Sequence, residues 1–330
     1  MPELDAKQPQ HSEFMKTAVV AIGGHAILRA GQEATFDNQL ENLRETSVHL
    51  VRLIKEGYDM VLTHGNGPQV GNILLQNELC KHDVPSMPIH VCVAESQGLL
   101  GFMIQQALTE TLEREKVDKV VTCLLTRVVV DPDDPAFDRP SKPVGPYYSK
   151  EEAETLHAEM GWTMREDVGR GGYRRVIPSP RPVGIVESDA IKKLVLGGER
   201  QAEVVVAAGG GGVPVIRKGA GLVGVEAVVD KDLAACVLAC SIQEKLLILL
   251  TDVEFVYLDY RSDRPIPLHE VKVDELEVYH AEGQFPPGSM GPKIEAAIQF
   301  LRCGGERVII TTPERVERAV AGRAGTHVIV

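Results

Sequence analysis

The sequence predicts a doubly wound α/β fold, with a parallel sheet covered by helices on both faces. Three observations carry that expectation. Short apolar runs recur without polar alternation, as strands buried on both faces require. Each run ends at glycines or small polar residues, and the segments between runs have helical spacing. At 330 residues the chain fits one large α/β domain or two moderate ones. A hydrophobic fraction of 44% and a charged fraction of 25% exclude wholesale disorder. Aromatics are only 5% against 31 glycines, so the core is aliphatic and the loops are tight.

The elements follow in order. Thr17–Ile22 (TAVVAI) runs into Gly23-Gly24, and Asp59–Thr63 (DMVLT) runs into His64-Gly65-Asn66-Gly67. Glu203–Ala208 (EVVVAA) precedes Gly209–Gly212, Lys245–Leu250 precedes Thr251-Asp252, and Glu306–Ile310 precedes Thr311-Thr312. Between these runs, Leu40, Leu43, Leu50 and Ile54 share one helix face, and Met290, Ile294, Ile298 and Leu301 share another. A further helix is expected over Leu233–Ser241.

One stretch breaks the alternation. Asp131–Pro182 is rich in proline, holds Trp162, Tyr147, Tyr148 and Tyr173, and shows no long helical pattern. It is too long for a plain connection, and its aromatic content argues against a disordered loop. The expected layout is a polar tail over residues 1–16 and one domain over 17–330, with a lid subdomain inserted at about 131–182.

Charge and cysteine usage narrow the function. Net charge is −12 and no basic patch stands out, which argues against nucleic acid and anionic membranes as partners. No apolar run is long enough to span a bilayer. Cys80, Cys92, Cys123, Cys236, Cys240 and Cys303 form no C-x-x-C pair, so neither zinc nor a disulfide framework is expected and a cytoplasmic location fits.

The glycines gather at the carboxyl edge of the expected sheet, where open α/β folds bind ligands. Glycine lets backbone N–H groups approach phosphate, and the following helix offers its positive end. Four glycines in a row after a buried strand favour phosphate binding over a plain turn. Lys231 and Lys293 each fall in the first turn of a helix, where the macrodipole disfavours cations; either alone reads as a solvated surface group, but two such placements favour an anion at that edge. Asp232 would orient the lysines or meet a metal; otherwise it is a plain helix-start acid. Walker, protein-kinase and nucleophile-elbow motifs are absent, and no glycine loop fits the dinucleotide fingerprint.

Several long motifs resemble carbamate kinases, members of the amino acid kinase superfamily. They are Thr63–Gly71 (THGNGPQVG), Pro140–Tyr147 (PSKPVGPY), Val176–Pro180 (VIPSP) and Ala208–Pro214 (AGGGGVP). Glu226–Asp232 (EAVVDKD), Leu250–Tyr257 (LTDVEFVY) and Gly288–Lys293 (GSMGPK) complete the set, in the family's order from about Ala18 to Val330. The resemblance implies an open, mainly parallel sheet sandwiched by helices, a protruding subdomain matching the insertion, and a homodimer. It implies reversible phosphoryl transfer between carbamoyl phosphate and ADP, giving ATP and carbamate, with Mg²⁺ and without a confident protein side-chain ligand for the metal.

Residue by residue, the resemblance has Lys142 reach from the lid to the transferring phosphoryl group. It has Lys231 and Lys293 neutralise charge on the nucleotide side, with Asp232 positioning them. Gly23, Gly24, Gly65, Asn66 and Gly67 would hold the carbamoyl phosphate end. Gly209, Gly210, Gly211, Asp252, Val256, Tyr257 and Met290 would line the nucleotide site. The chain departs from the family's Gly-Gly-Asn-Ala loop by carrying His25 after Gly24, and His25 can offer one N–H donor in place of the amide. Two other readings stand beside this one: the same fold acting on another small carboxylate or carbamate, and a nucleotide-binding regulatory module with an impaired site.

Overall fold

The computed structural model describes residues 16–29, 31–167, 171–196 and 203–330. All but the last residue of the expected polar tail lies outside the described residues, as do positions 168–170 of the insertion. The centre is an eight-stranded sheet. Its order is Glu270–Lys272, Thr326–Ile329, Arg307–Thr311, Leu246–Leu250, Lys16–Ile22, Tyr58–His64, Val204–Val206 and Val121–Cys123. Neighbours pair in parallel throughout except at Arg307–Thr311 and Thr326–Ile329, which run antiparallel. The five apolar runs of the sequence are five of these strands, each within two residues at either end.

Side-chain alternation along each strand feeds two cores. Val19, Ala21, Leu247, Leu249, Val308 and Ile310 pack beneath helices Lys231–Ile242 and Met290–Arg302. Val20, Ile22, Leu62, Ile248 and Ile309 pack beneath helices Phe36–Lys55 and Ile89–Arg114. Burial on both faces is why these strands carry no polar alternation.

The insertion folds as a three-stranded antiparallel sheet of Lys142–Tyr148, Tyr173–Ile177 and Met164–Glu166 with helix Lys150–Met160. That helix corrects the expectation of no long helical segment. Its signals are a capping box between Ser149 and Glu152 and a left-handed Gly161 at its end (φ 66°). Flanking residues join a second sheet, ordered Gly221–Gly224, Val213–Lys218, Arg127–Val130 and Pro182–Ile185. A small core of Val70, Leu74, Val144, Ile177 and Val213 seats the insertion on helix Gly67–Leu79. A Cβ on Gly71 would lie 1.9 Å from the Gly145 nitrogen, so two backbones meet there with no room for a side chain.

The cysteine expectation is corrected too. Cys240 and Cys303 form a disulfide across a sequence separation of 63, with Cα atoms 6.2 Å apart. It ties the end of helix Lys231–Ile242 to the end of helix Met290–Arg302. No spacing motif announces a pair that only helix packing brings together.

Candidate active site

Four loops converge at the carboxyl edge, two of them following Lys16–Ile22 and its neighbour Leu246–Leu250. Strand order reverses between these two, which makes the crevice a topological switch point. Gly23 must be glycine because a Cβ would sit 2.7 Å from the Leu250 carbonyl oxygen, whereas Gly24 opens onto free space. Gly65 lies beside the Lys231 stem, 3.5 Å from Cδ for an added Cβ. Asn66 is buried and donates to Ser96 Oγ at 2.8 Å, and Ser96 in turn donates to the Val93 carbonyl. Gly67 then starts helix Gly67–Leu79, with Pro68 in the first turn where its missing N–H costs nothing.

The lysines converge through two aspartates. Asp230 caps helix Lys231–Ile242 by accepting from the backbone N–H of Asp232 at 2.9 Å and of Leu233 at 3.4 Å. Asp232 is buried, and its two oxygens accept from Lys231 Nζ at 2.6 Å and Lys293 Nζ at 3.0 Å. The other Asp230 oxygen accepts from Lys142 Nζ, which arrives from the first residue of the lid strand. Lys142, Lys231, Asp232 and Lys293 therefore form one cluster.

The electrostatics follow from burial and pairing. Burial works to raise the Asp232 carboxyl, but the Lys231 and Lys293 ammonium groups hold it well below the usual carboxylate range. Burial likewise acts on Asp230, and Lys142 overcomes it in the same direction. Burial and Lys293 hold Lys231 below the ordinary lysine range, while Asp232 holds Lys293 above it despite burial. Both aspartates stay charged acceptors with lowered proton affinity, so each is a weak base.

The remaining expected residues divide. Asp252 is half exposed (50%), lies near enough to Lys293 to help hold its proton, and stands 3.8 Å from His25 Nδ1. His25 itself is exposed at the loop surface. Tyr257 and Met290 are half-buried. Val256 is wholly buried in the core and its N–H donates to Thr326 Oγ1.

The glycine run has a packing reason that the sequence did not show. Added Cβ atoms on Gly209, Gly210 and Gly211 would meet the His64 ring at 2.2 Å, the Asn66 amide at 2.1 Å and the Val229 carbonyl at 2.2 Å. All three glycines are buried, so they sit beneath the Gly65–Gly67 loop and the start of helix Lys231–Ile242. They build a floor under that loop. His64, fully buried and bonded through Nδ1 to the Gly65 carbonyl, is pushed down to about 4 and stays neutral in that floor.

Asp230, Ser96 and His64 are site residues the sequence analysis missed. Only Asp230 carried a signal, since Asp before a helix start is a favoured cap. Among the described residues no group of three or more His, Cys, Asp or Glu could hold a metal.

A model of the amino acid kinase family matches residues 16–312. A carbamate kinase of Pyrococcus horikoshii is 47% identical over 312 residues, covering 94% of this chain and 98% of that protein. A carbamate kinase from Giardia lamblia, solved bound to citric acid, is 41% identical with a TM-score of 0.89 over 95% of this chain and 98% of its own. The same enzyme bound to AMP-PNP superposes with a TM-score of 0.86 at 41% identity, over the same shares of both chains.

Proposed function

The chain belongs to the amino acid kinase family, and from that premise we propose that it is a carbamate kinase, transferring a phosphoryl group reversibly between carbamoyl phosphate and ADP. The observation that carries this reading is the convergence of Lys142, Lys231 and Lys293 on two buried aspartates at the glycine edge. In the ATP-forming direction a terminal ADP oxygen attacks the phosphorus in line. The new P–O bond forms as the bond to carbamate breaks, and carbamate leaves as an anion. The attacking oxygen is already anionic and the leaving group is a weak base, so no protein nucleophile or base is required. Catalysis is then positioning and charge neutralisation, which three lysines supply.

Lys142 acts on the transferred group from the lid, and Lys231 and Lys293 act from the helix N-termini. Gly23, Gly24, His25, Gly65, Asn66 and Gly67 hold the carbamoyl phosphate end, on the floor made by Gly209, Gly210 and Gly211. Asp252, Tyr257 and Met290 face the nucleotide. The segment at about 131–182 works as the lid of a domain spanning 17–330.

Mg²⁺ fits here as a nucleotide-borne ion, since it keeps its own waters and binds through phosphates and one or two carboxylates. Asp252 is the carboxylate of the site not already bonded to a lysine. The bound ion would add further neutralisation of phosphate charge.

We also propose a homodimer. Val120 and Leu125 flank the edge strand Val121–Cys123, and Leu99 and Phe102 lie on the helix packed against it, all exposed. A second copy of this chain would cover that apolar face. No described helix is long and apolar enough to cross a membrane. A cytoplasmic location is part of the same reading, since ADP and ATP are its substrates.

The test is ATP formation from carbamoyl phosphate and ADP by the purified protein, with Lys142→Ala as control. The expected loss in that variant is about 10²-fold or more in kcat, the scale of one preorganised charge donor. ADP affinity should stay near normal, because the lid lies across the transfer from the nucleotide. Normal kcat in Lys142→Ala would sink the assignment.

A further inference from the structure

Each lysine of the cluster is tethered by one carboxylate oxygen. Lys231 and Lys293 share Asp232, whereas Lys142 has Asp230 to itself. An ammonium group has three N–H donors, so one tether leaves two to meet phosphoryl oxygens. The tether also fixes a long side chain that is otherwise rotamer-rich. Asp230 is well placed for this task. Its first oxygen is fixed by two backbone N–H groups at the helix start, so its second oxygen has a defined direction. Its side chain is 13% exposed against 29% for Lys142, so the fixed partner is the buried one and the mobile partner comes from the lid. The bond links positions 88 residues apart and is the charged contact between the lid strand and helix Lys231–Ile242.

We propose that Asp230 is a positioning residue for phosphoryl transfer, holding the Lys142 ammonium over the start of helix Lys231–Ile242 so that the three lysines form one array. The proposal rests on the carbamate kinase reading. It goes beyond that reading by making the helix cap and the lid tether one carboxylate.

Asp230→Asn is the test, because Asn caps helices as well as Asp does and removes the charge. The expected result is a fall of about tenfold or more in kcat for ATP formation, with KM for ADP within about twofold of wild type. In a Lys142→Met background the same change should add less than about twofold, since the partner is already gone. Acetylation of Lys142 by acetic anhydride, read by mass spectrometry in the ligand-free protein, should accelerate at least severalfold in Asp230→Asn. Wild-type kcat in Asp230→Asn, or an undiminished effect in the Lys142→Met background, would overturn the proposal. Unchanged Lys142 labelling would overturn it as well. If the wild-type protein forms no ATP, the carbamate kinase reading fails separately, and the labelling result still decides whether Asp230 holds Lys142.

Discussion

Asp232 and Lys293 lie in the first turns of different helices, 61 residues apart, yet the Asp232 carboxylate accepts from the Lys293 ammonium at 3.0 Å while its other oxygen holds Lys231. All three side chains are nearly buried, with relative exposures of 4%, 11% and 12% for Asp232, Lys293 and Lys231. One carboxylate thus balances two ammonium groups, and the surplus positive charge faces the crevice.

Removing that carboxylate should be costly. Asp232→Asn leaves two buried lysines unpaired, a change worth about 3–5 kcal/mol where a buried pair is broken. The lowered folded pKa of Asp232 gives the same dependence on pH. Its contribution is complete above the unfolded carboxyl value of about 4 and is lost as pH falls towards the folded value. Urea denaturation should show Asp232→Asn much less stable than wild type near pH 7, with the gap narrowing in acid. Saturating ADP should restore part of the loss, because its phosphates supply the missing negative charge. Equal stability of the two proteins would contradict the charge balance described here.

Lys231 should set an alkaline limit to activity. Burial and the neighbouring Lys293 hold it below the ordinary lysine value of about 10.4, whereas Asp232 holds Lys293 above its own. Lys231 therefore loses its proton first as pH rises, and turnover should fall below the pH at which an ordinary lysine titrates. Lys231→Arg keeps its charge throughout, so whatever activity it retains should lack that limb. A limb that persists unchanged in Lys231→Arg would assign it to another group.

The contact between Gly71 and Gly145 should decide how well the lid seats. A Cβ on Gly71 would fall within 2.0 Å of both N and Cα of Gly145, so backbone must move. Because Gly145 belongs to the lid strand and Gly71 to helix Gly67–Leu79, the lid is the part expected to shift. Gly71→Ala should lower kcat/KM for carbamoyl phosphate by about tenfold or more, as a displacement of about 1 Å can do. Circular dichroism should still show the central fold. A variant with normal kinetics would show that the lid tolerates a different seat.

Much of this fold was legible in the sequence because its central strands are buried on both faces. Runs such as Leu246–Leu250 leave no alternative to an interior strand. The insertion was legible as an interruption but not as a sheet. Pro143, Gly145 and Pro146 break the strand pattern of Lys142–Tyr148, and pairing with Tyr173–Ile177 supplies what local propensity lacks. Lys231 and Lys293 stood out because they oppose the helix dipole, whereas Lys142 was visible only through resemblance. Asp230 went unnoticed, since its bond to Lys142 exists only after the lid folds across. The packing around the glycine run was not legible, because its close neighbours, His64, Asn66 and Val229, come from distant loops.

The disulfide should support the same two helices from their far ends. Closing a separation of 63 residues corresponds to about 4 kcal/mol of chain entropy in the simplest model. Cys303→Ser, or reduction with dithiothreitol, should lower Tm measurably. The lysine cluster lies at the opposite helix ends, so kcat at moderate temperature should change little. A Cys303→Ser protein with unchanged Tm would show that the bridge does not stabilise the fold.

The most direct test of the central claim compares phosphoryl donors under one set of conditions. Purified protein with ADP and Mg²⁺ would be offered carbamoyl phosphate, acetyl phosphate and other small acyl phosphates, with ATP formation read by luciferase. The account expects the highest kcat/KM with carbamoyl phosphate, and loss of that activity in Lys142→Ala, Lys231→Ala and Lys293→Ala alike. Faster turnover of another acyl phosphate, or tight ADP binding without ATP formation from any donor, would contradict it.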